Sequence, residues 1–209
     1  TLPPGHLVNP GFETGDFFGW TALDQGGGWL GVMSGTTTPH SYHSFAAPPE
    51  GTYAAVYDPN NPGNGILYQD FEVPTGYDSV SLSATIYVEN LAGYYFDGPD
   101  FDSGVTNQKA RLDLMDPTAG IDDTGNGVLS NLFMTNPGDS NSIPPTVVSV
   151  DLTPYAGQTV RLRLGCVATV NFLLVGLDNI QITTVSPPGG DGGDGGGGGG
   201  GCFISSISL

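Results

Sequence analysis

The strongest constraint on this chain is a two-residue alternation of apolar and polar side chains in short runs, each closed by Gly, Pro, Asn or Asp. In VSLSATIYV, Val80, Leu82, Ala84, Ile86 and Val88 share one face, and in TVRLRLGCV so do Val160, Leu162 and Leu164. Successive side chains of an extended strand point to opposite faces, so each run buries one face and turns Ser, Thr and Arg to solvent. The same reading predicts a short strand near His6–Val8 and further strands at Trp29–Met33, Tyr42–Ala46, Thr52–Tyr57, Ile66–Val73, Ser79–Glu89 and Lys109–Met115. Val128–Met134, Thr146–Asp151, Thr159–Val167 and Phe172–Thr184 complete the set. No long segment carries the period of an amphipathic helix. Short strands at this spacing predict an all-β chain of two packed antiparallel sheets.

The pattern stops after Ser186. Pro187–Gly201 is almost all glycine and aspartate, and CFISSISL follows. Glycine loses the most backbone entropy on ordering and has no side chain to bury, so the run predicts a linker. The last eight residues alternate again, with Phe203, Ser205, Ile207 and Leu209 on one face. The chain therefore divides into a sandwich over residues 1–186, a linker over 187–201 and a terminal strand over 202–209. Burying Phe203, Ile204, Ile207 and Leu209 in a sheet would contribute roughly 6–12 kcal/mol gross. The linker reaches the parent sandwich or a neighbouring copy. The leading expectation is an assembly strand donated between copies into a homopolymer. A remnant of a surface-sorting signal and an inert tail are the alternatives.

Charge narrows the partners. The net charge is −17 with four basic residues, Lys109, Arg111, Arg161 and Arg163. Nucleic acid and anionic membrane are excluded as partners by so acidic a chain. No segment is long and apolar enough to predict a membrane span, and the profile suits a secreted or cell-surface protein. Cys166 and Cys202 are an even count for such a compartment. They either form a disulfide, which would fasten the tail beside the Arg161–Val167 strand, or remain one buried and one exposed thiol.

LVNPGFETGDFFGW, VSVDLTPYAGQTVRLRL and VGLDNIQIT lie in that order along residues 7–184. They resemble the opening signature, the penultimate strand pair and the closing strand of galactose-binding-like jelly-roll domains, a group that includes carbohydrate-binding modules and secreted bacterial surface proteins. The resemblance implies a two-sheet antiparallel jelly-roll sandwich. It also implies a structural calcium between Glu13 of GFE and Asp178 of LDN. A carboxylate from each end of the domain with backbone carbonyls supplies the hard oxygen set that calcium takes; the plain alternative is that both carboxylates cap turns.

Other candidates come from residue type. Asp97, Asp100 and Asp102 in DGPDFDSG could form a second calcium loop, although the helix-flanked twelve-residue pattern is absent. Asp58 with Asn60 and Asn64, and Asp122 with Asp123 and Asn126, read as solvated acidic turns. On a strand, His40 and His43 would face opposite sides, which disfavours a shared metal. Trp29, Tyr94 and Tyr95 are the candidates for stacking a sugar ring, against ordinary packing. No nucleophile elbow or other nucleophile motif is present, and the expected function is non-catalytic. It is a calcium-stabilised extracellular subunit joined by its tail or, alternatively, a monomeric carbohydrate-binding module or adhesin domain.

Overall fold

The computed structural model describes residues 5–187 and the backbone of residues 204–207. The strands are β1 (Thr21–Gly26), β2 (Leu30–Met33), β3 (Ala54–Tyr57), β4 (Gly63–Glu72), β5 (Ser79–Asn90), β6 (Gln108–Met115), β7 (Val128–Met134), β8 (Ser142–Asp151), β9 (Thr159–Ala168), β10 (Leu173–Val185) and β11 (Ile204–Ile207). A single 3-10 turn, Thr153–Tyr155, separates β8 from β9. The first sheet has the order β1-β4-β9-β6-β7; the second has β2-β3-β10-β5-β8, with β11 against β10. All the pairings are antiparallel. The fold is the all-β jelly-roll sandwich that the alternation and the resemblance predict.

The core lies between the sheets. Val80, Leu82, Ala84, Ile86 and Val88 of β5 meet Val160, Leu162 and Leu164 of β9 there. Two smaller clusters form on the outer faces. Met33, Phe45, Val56, Tyr87 and Leu174 cover the second sheet beneath the segment between β2 and β3, with Phe45 stacked on Tyr87 at 4.8 Å. Ile66, Phe101 and Val167 cover part of the first sheet. Both clusters rest on glycine: a Cβ on Gly176 would lie 2.0 Å from the Tyr87 ring, and one on Gly165 2.2 Å from the Phe101 ring. The missing side chains are what lets each ring lie flat on its sheet.

Five readings of the sequence need correction. No strand forms near His6–Val8; the first strand among the described residues is β1. Tyr42–Ala46 is not a strand: the segment makes an isolated Thr37–Ser44 bridge, and Tyr42 sits at φ 59°. No period in the sequence marks β1, because all six of its residues are exposed. Arg163 does not face solvent; it is fully buried on the outer face of the first sheet. Finally, the tail strand does not lie beside the Cys166 strand. β9 is flanked on both sides, by β4 and β6, and Cys166 is a free thiol sealed in the core. β11 pairs instead with β10, from Ile182↔Ile207 to Val185↔Ile204. Cys202, Phe203 and Leu209 lie outside the described residues.

Candidate binding cleft and carboxylate staple

The N-terminal turn reaches the last strand of the sandwich where the resemblance places it. The Ile180 amide donates to the Pro10 carbonyl at 3.2 Å, and β10 shifts register against β5 between Asp178 and Gln181. Asn9, Phe12 and Asn179 all adopt positive φ at this junction. Asp178 accepts the amides of Asn179 at 2.7 Å and Glu50 at 3.1 Å. Glu13 accepts those of Thr52 at 3.0 Å and Tyr53 at 2.9 Å. Both carboxylates thus bind nearby backbone amides, and a third acid joins them. A Cβ on Gly11 would lie 3.0 Å from Glu50 Oε2, 3.7 Å from Glu13 Cγ and 3.8 Å from Asp178 Oδ1.

Asp178 is fully buried, and burial is the main reason its carboxyl is pushed up to about 7, with Glu50 and Glu13 adding to the effect. No salt bridge among the described residues neutralises it. Such a charge calls for a proton or a cation. The acids fit a hard cation in donor type, yet no three His, Cys, Asp or Glu side chains among the described residues stand as a preformed metal cage.

The DGPDFDSG loop does not pool its acids. Asp97 pairs with Lys109 at 2.9 Å, Asp100 accepts the Thr124 hydroxyl at 2.7 Å, and Asp102 accepts the Gly104 amide at 2.7 Å. The loop does something else: it forms one wall of a cleft on the outer face of the first sheet. Leu23 and Ile66, paired across β1 and β4, form an apolar floor, with Gln25 and Asn64 as the next pair along. Asp100, Asp102, Ser103 and Asp122 form the polar wall. The cavity is about 360 Å³.

The wall is held by the chain's few cations. Arg163 Nη1 donates to the carbonyls of Ile121 at 2.8 Å and Asp123 at 2.7 Å, while Nη2 binds Asp113 at 2.5 Å. Asp113 also takes two bonds from Arg111, at 2.9 and 3.0 Å, and one from Asn131 at 2.7 Å. Arg161 pairs with Asp70 at 2.6 Å and lies over the Tyr68 ring at 4.4 Å. All four basic side chains therefore sit on this one face, each engaged by a carboxylate, and none lines the cleft.

The predicted sugar-stacking residues are dispersed. Tyr95 is in the core, 2 % exposed, with its hydroxyl on the Ser140 carbonyl at 3.1 Å. Trp29 is half-buried against His40 at 5.0 Å. Tyr94 is 49 % exposed and meets Phe96 edge-on at 4.9 Å. The two histidines serve the segment between β2 and β3. Fully buried Asp58 accepts the amides of His40 at 2.7 Å and Ser41 at 2.9 Å, and the His43 ring lies 4.3 Å from Phe172.

No family model and no curated protein matches this chain. Solved structures do match it in fold. The carbohydrate-binding module TmCBM61, solved in complex with beta-1,4-galactotriose, superposes with a TM-score of 0.53 at 15 % identity, over 86 % of this chain and 98 % of that one. The chain has the jelly-roll fold of such modules. The K3 cleaved adhesin domain of Lys-gingipain from Porphyromonas gingivalis superposes with a TM-score of 0.50 at 13 % identity, over 84 % of this chain and 96 % of that one. Identities this low carry the fold and nothing further. No helix among the described residues is long and apolar enough to cross a membrane.

Proposed function

We propose that this chain is a non-catalytic extracellular domain that binds a neutral glycan in the cleft between β1, β4 and the loops that carry Asp100–Ser103 and Ile121–Asp122. The observation that carries the reading is the cleft's composition: Leu23 and Ile66 below, with amides, carboxylates and a hydroxyl at the sides. A sugar ring presents C–H groups on its faces and hydroxyls at its edge, and a few placed polar groups around an apolar floor are how such ligands are oriented. Asp100, Asp102 and Asp122 accept bonds from hydroxyls and repel uronic acids or sulfated sugars. The chain's charge of −17 acts in the same direction.

In this reading calcium is a structural ion. Asp178 and Glu50, with Glu13 beside them, would hold it, and its charge would neutralise the buried carboxylate that joins the N-terminal turn to β10. Binding to the neutral glycan is tested by titration calorimetry with Leu23→Asp and Gln25→Ala, both at exposed positions of β1. Each is expected to weaken binding about tenfold or more, the cost of one good contact. Unchanged affinity in both variants would remove the cleft from the account.

The pairing of β11 with β10 favours a second role, for the tail. β3 pairs with β10 only over Val175–Leu177, so β11 covers backbone groups farther along the same edge. An uncovered edge invites pairing with another chain. Exchange of this strand between copies would join them by main-chain hydrogen bonds. A chain ending at Ser186 is then expected to lose any concentration-dependent oligomers of the full chain in light scattering. The same mass for both chains at every concentration would rule out strand exchange.

A further inference from the structure

We infer that His40 is a pH-sensitive latch between the segment that joins β2 to β3 and the turn after β3, and that gaining a proton reverses its hydrogen bond to Asn60. The ring is half-buried and packs against Trp29 at 5.0 Å. Its Nδ1 lies 3.0 Å from the Asp58 carbonyl oxygen, and its Nε2 lies 3.1 Å from Asn60 Nδ2. A carbonyl only accepts, so Nδ1 carries the hydrogen and the neutral ring keeps a lone pair on Nε2. The Asn60 amide donates to that lone pair. The bond each ring nitrogen makes thus selects one tautomer, and both bonds are satisfied only while the ring is neutral.

A proton on Nε2 turns that position from acceptor to donor and sets it against the Asn60 amide nitrogen. Turning the Asn60 carboxamide over presents its oxygen instead and restores the bond in the opposite sense. The backbone does not have to follow. The Asp58 amide donates to the Trp29 carbonyl at 2.9 Å and the Asn60 amide to the Gly27 carbonyl at 3.1 Å, and neither bond involves the ring. Asn60 is exposed, so the outward edge of its carboxamide changes from acceptor to donor.

His43 supplies an internal control. Fully buried Asp58 accepts the amides of His40 and Ser41 and also the Ser41 hydroxyl. That hydroxyl gives its one hydrogen to Asp58, so His43 Nδ1, 2.8 Å from the same oxygen, donates to it. His43 Nε2 makes no hydrogen bond among the described residues, and a second proton there reverses nothing. The carboxylates that face the His40 ring are Asp58, just past β3, and Asp24 of β1. Imidazole is the ordinary side chain that changes charge between about pH 5 and 8.

The experiment is nuclear magnetic resonance on the full, isotope-labelled chain between about pH 5 and 8, following the ring nitrogens of both histidines and the side-chain amide of Asn60. At the upper end both rings are expected as Nδ1–H tautomers. On acidification the Asn60 amide resonances are expected to move with the same midpoint as the His40 ring. His40→Gln should abolish that movement and His43→Gln should leave it, with a dispersed spectrum showing that each variant is folded. An Nε2–H tautomer of the neutral His40 ring would overturn the inference without recourse to any variant. So would a His40 ring that gains no proton in this range, an Asn60 amide that stays fixed while His40 titrates, or one that follows His43 instead.

Discussion

Arg163→Ala is expected to destabilise the fold by about 3–5 kcal/mol and to abolish ligand binding at the sheet-face cleft together. Breaking a buried ion pair by removing one partner has a cost of that order. Here Asp113, fully buried beneath the 116–127 connection, loses one of its two guanidinium partners and keeps Arg111 and Asn131. The same guanidinium holds the Ile121 and Asp123 carbonyls, so its loss also releases the loop that brings Asp122 to the cleft. Arg163→Lys should rescue little, because a single ammonium cannot reproduce two carbonyl bonds and a carboxylate pair in one plane. Urea unfolding gives the stability loss and calorimetry the binding loss. A variant within 1 kcal/mol of wild type, roughly the scale of an exposed pair, would contradict this account of the face.

Calcium is expected to produce the second large effect. At a hundredfold excess over its dissociation constant, a ligand that binds only the folded state adds about 2.7 kcal/mol. Calcium should therefore raise the melting temperature of chelator-treated protein by several degrees, and Asp178→Asn should remove that rise. The metal-free protein should also carry a pH signature. Asp178 titrates near 7 in the folded chain against an ordinary value of 3.8. Between those values the folded state keeps a proton that the unfolded state has released, so metal-free stability falls as pH rises from about 4 to about 7. Calcium should flatten that fall. Superimposable melting curves in calcium and in chelator at pH 7 would reject the metal and leave Glu13 and Asp178 as turn caps.

The parts legible in the sequence are those where one face of a strand is buried and the other is not. β5 and β9 show their core residues by period alone, and together with the turn signals they fix the sandwich. Where packing comes from elsewhere, period misleads. Arg163 occupies the outward phase of β9, and the distant 116–127 connection and the Phe101 ring folding over it make that phase an interior. β1 has no buried phase to read, although Leu23 and Gln25 line the cleft.

The staple was half legible. Glu13 and Asp178 lie in recognisable segments, whereas Glu50 sits in PPEGT, where nothing local distinguishes it from a solvated acid. Tyr94 and Tyr95 illustrate the limit of residue type. They are sequence neighbours in one loop, yet one is half exposed and the other sealed in the core. The sheet-face cleft is not legible in the sequence, because its floor comes from β1 and β4, two strands far apart along the chain, and its walls from two separate loops. The spacing of Asp100 and Asp102 suggests metal ligands, whereas the fold sets them in the wall of the cleft.

The central claim is that the face of the first sheet holds a neutral glycan. Its most direct measurement is the retention of the full chain on immobilised neutral and uronate-containing polysaccharides, with Leu23→Asp run beside wild type. The account predicts retention of wild type on at least one neutral polymer, none on the acidic ones, and at least a tenfold weaker interaction for the variant. Retention on acidic polymers alone, or retention that Leu23→Asp leaves unchanged, would contradict it.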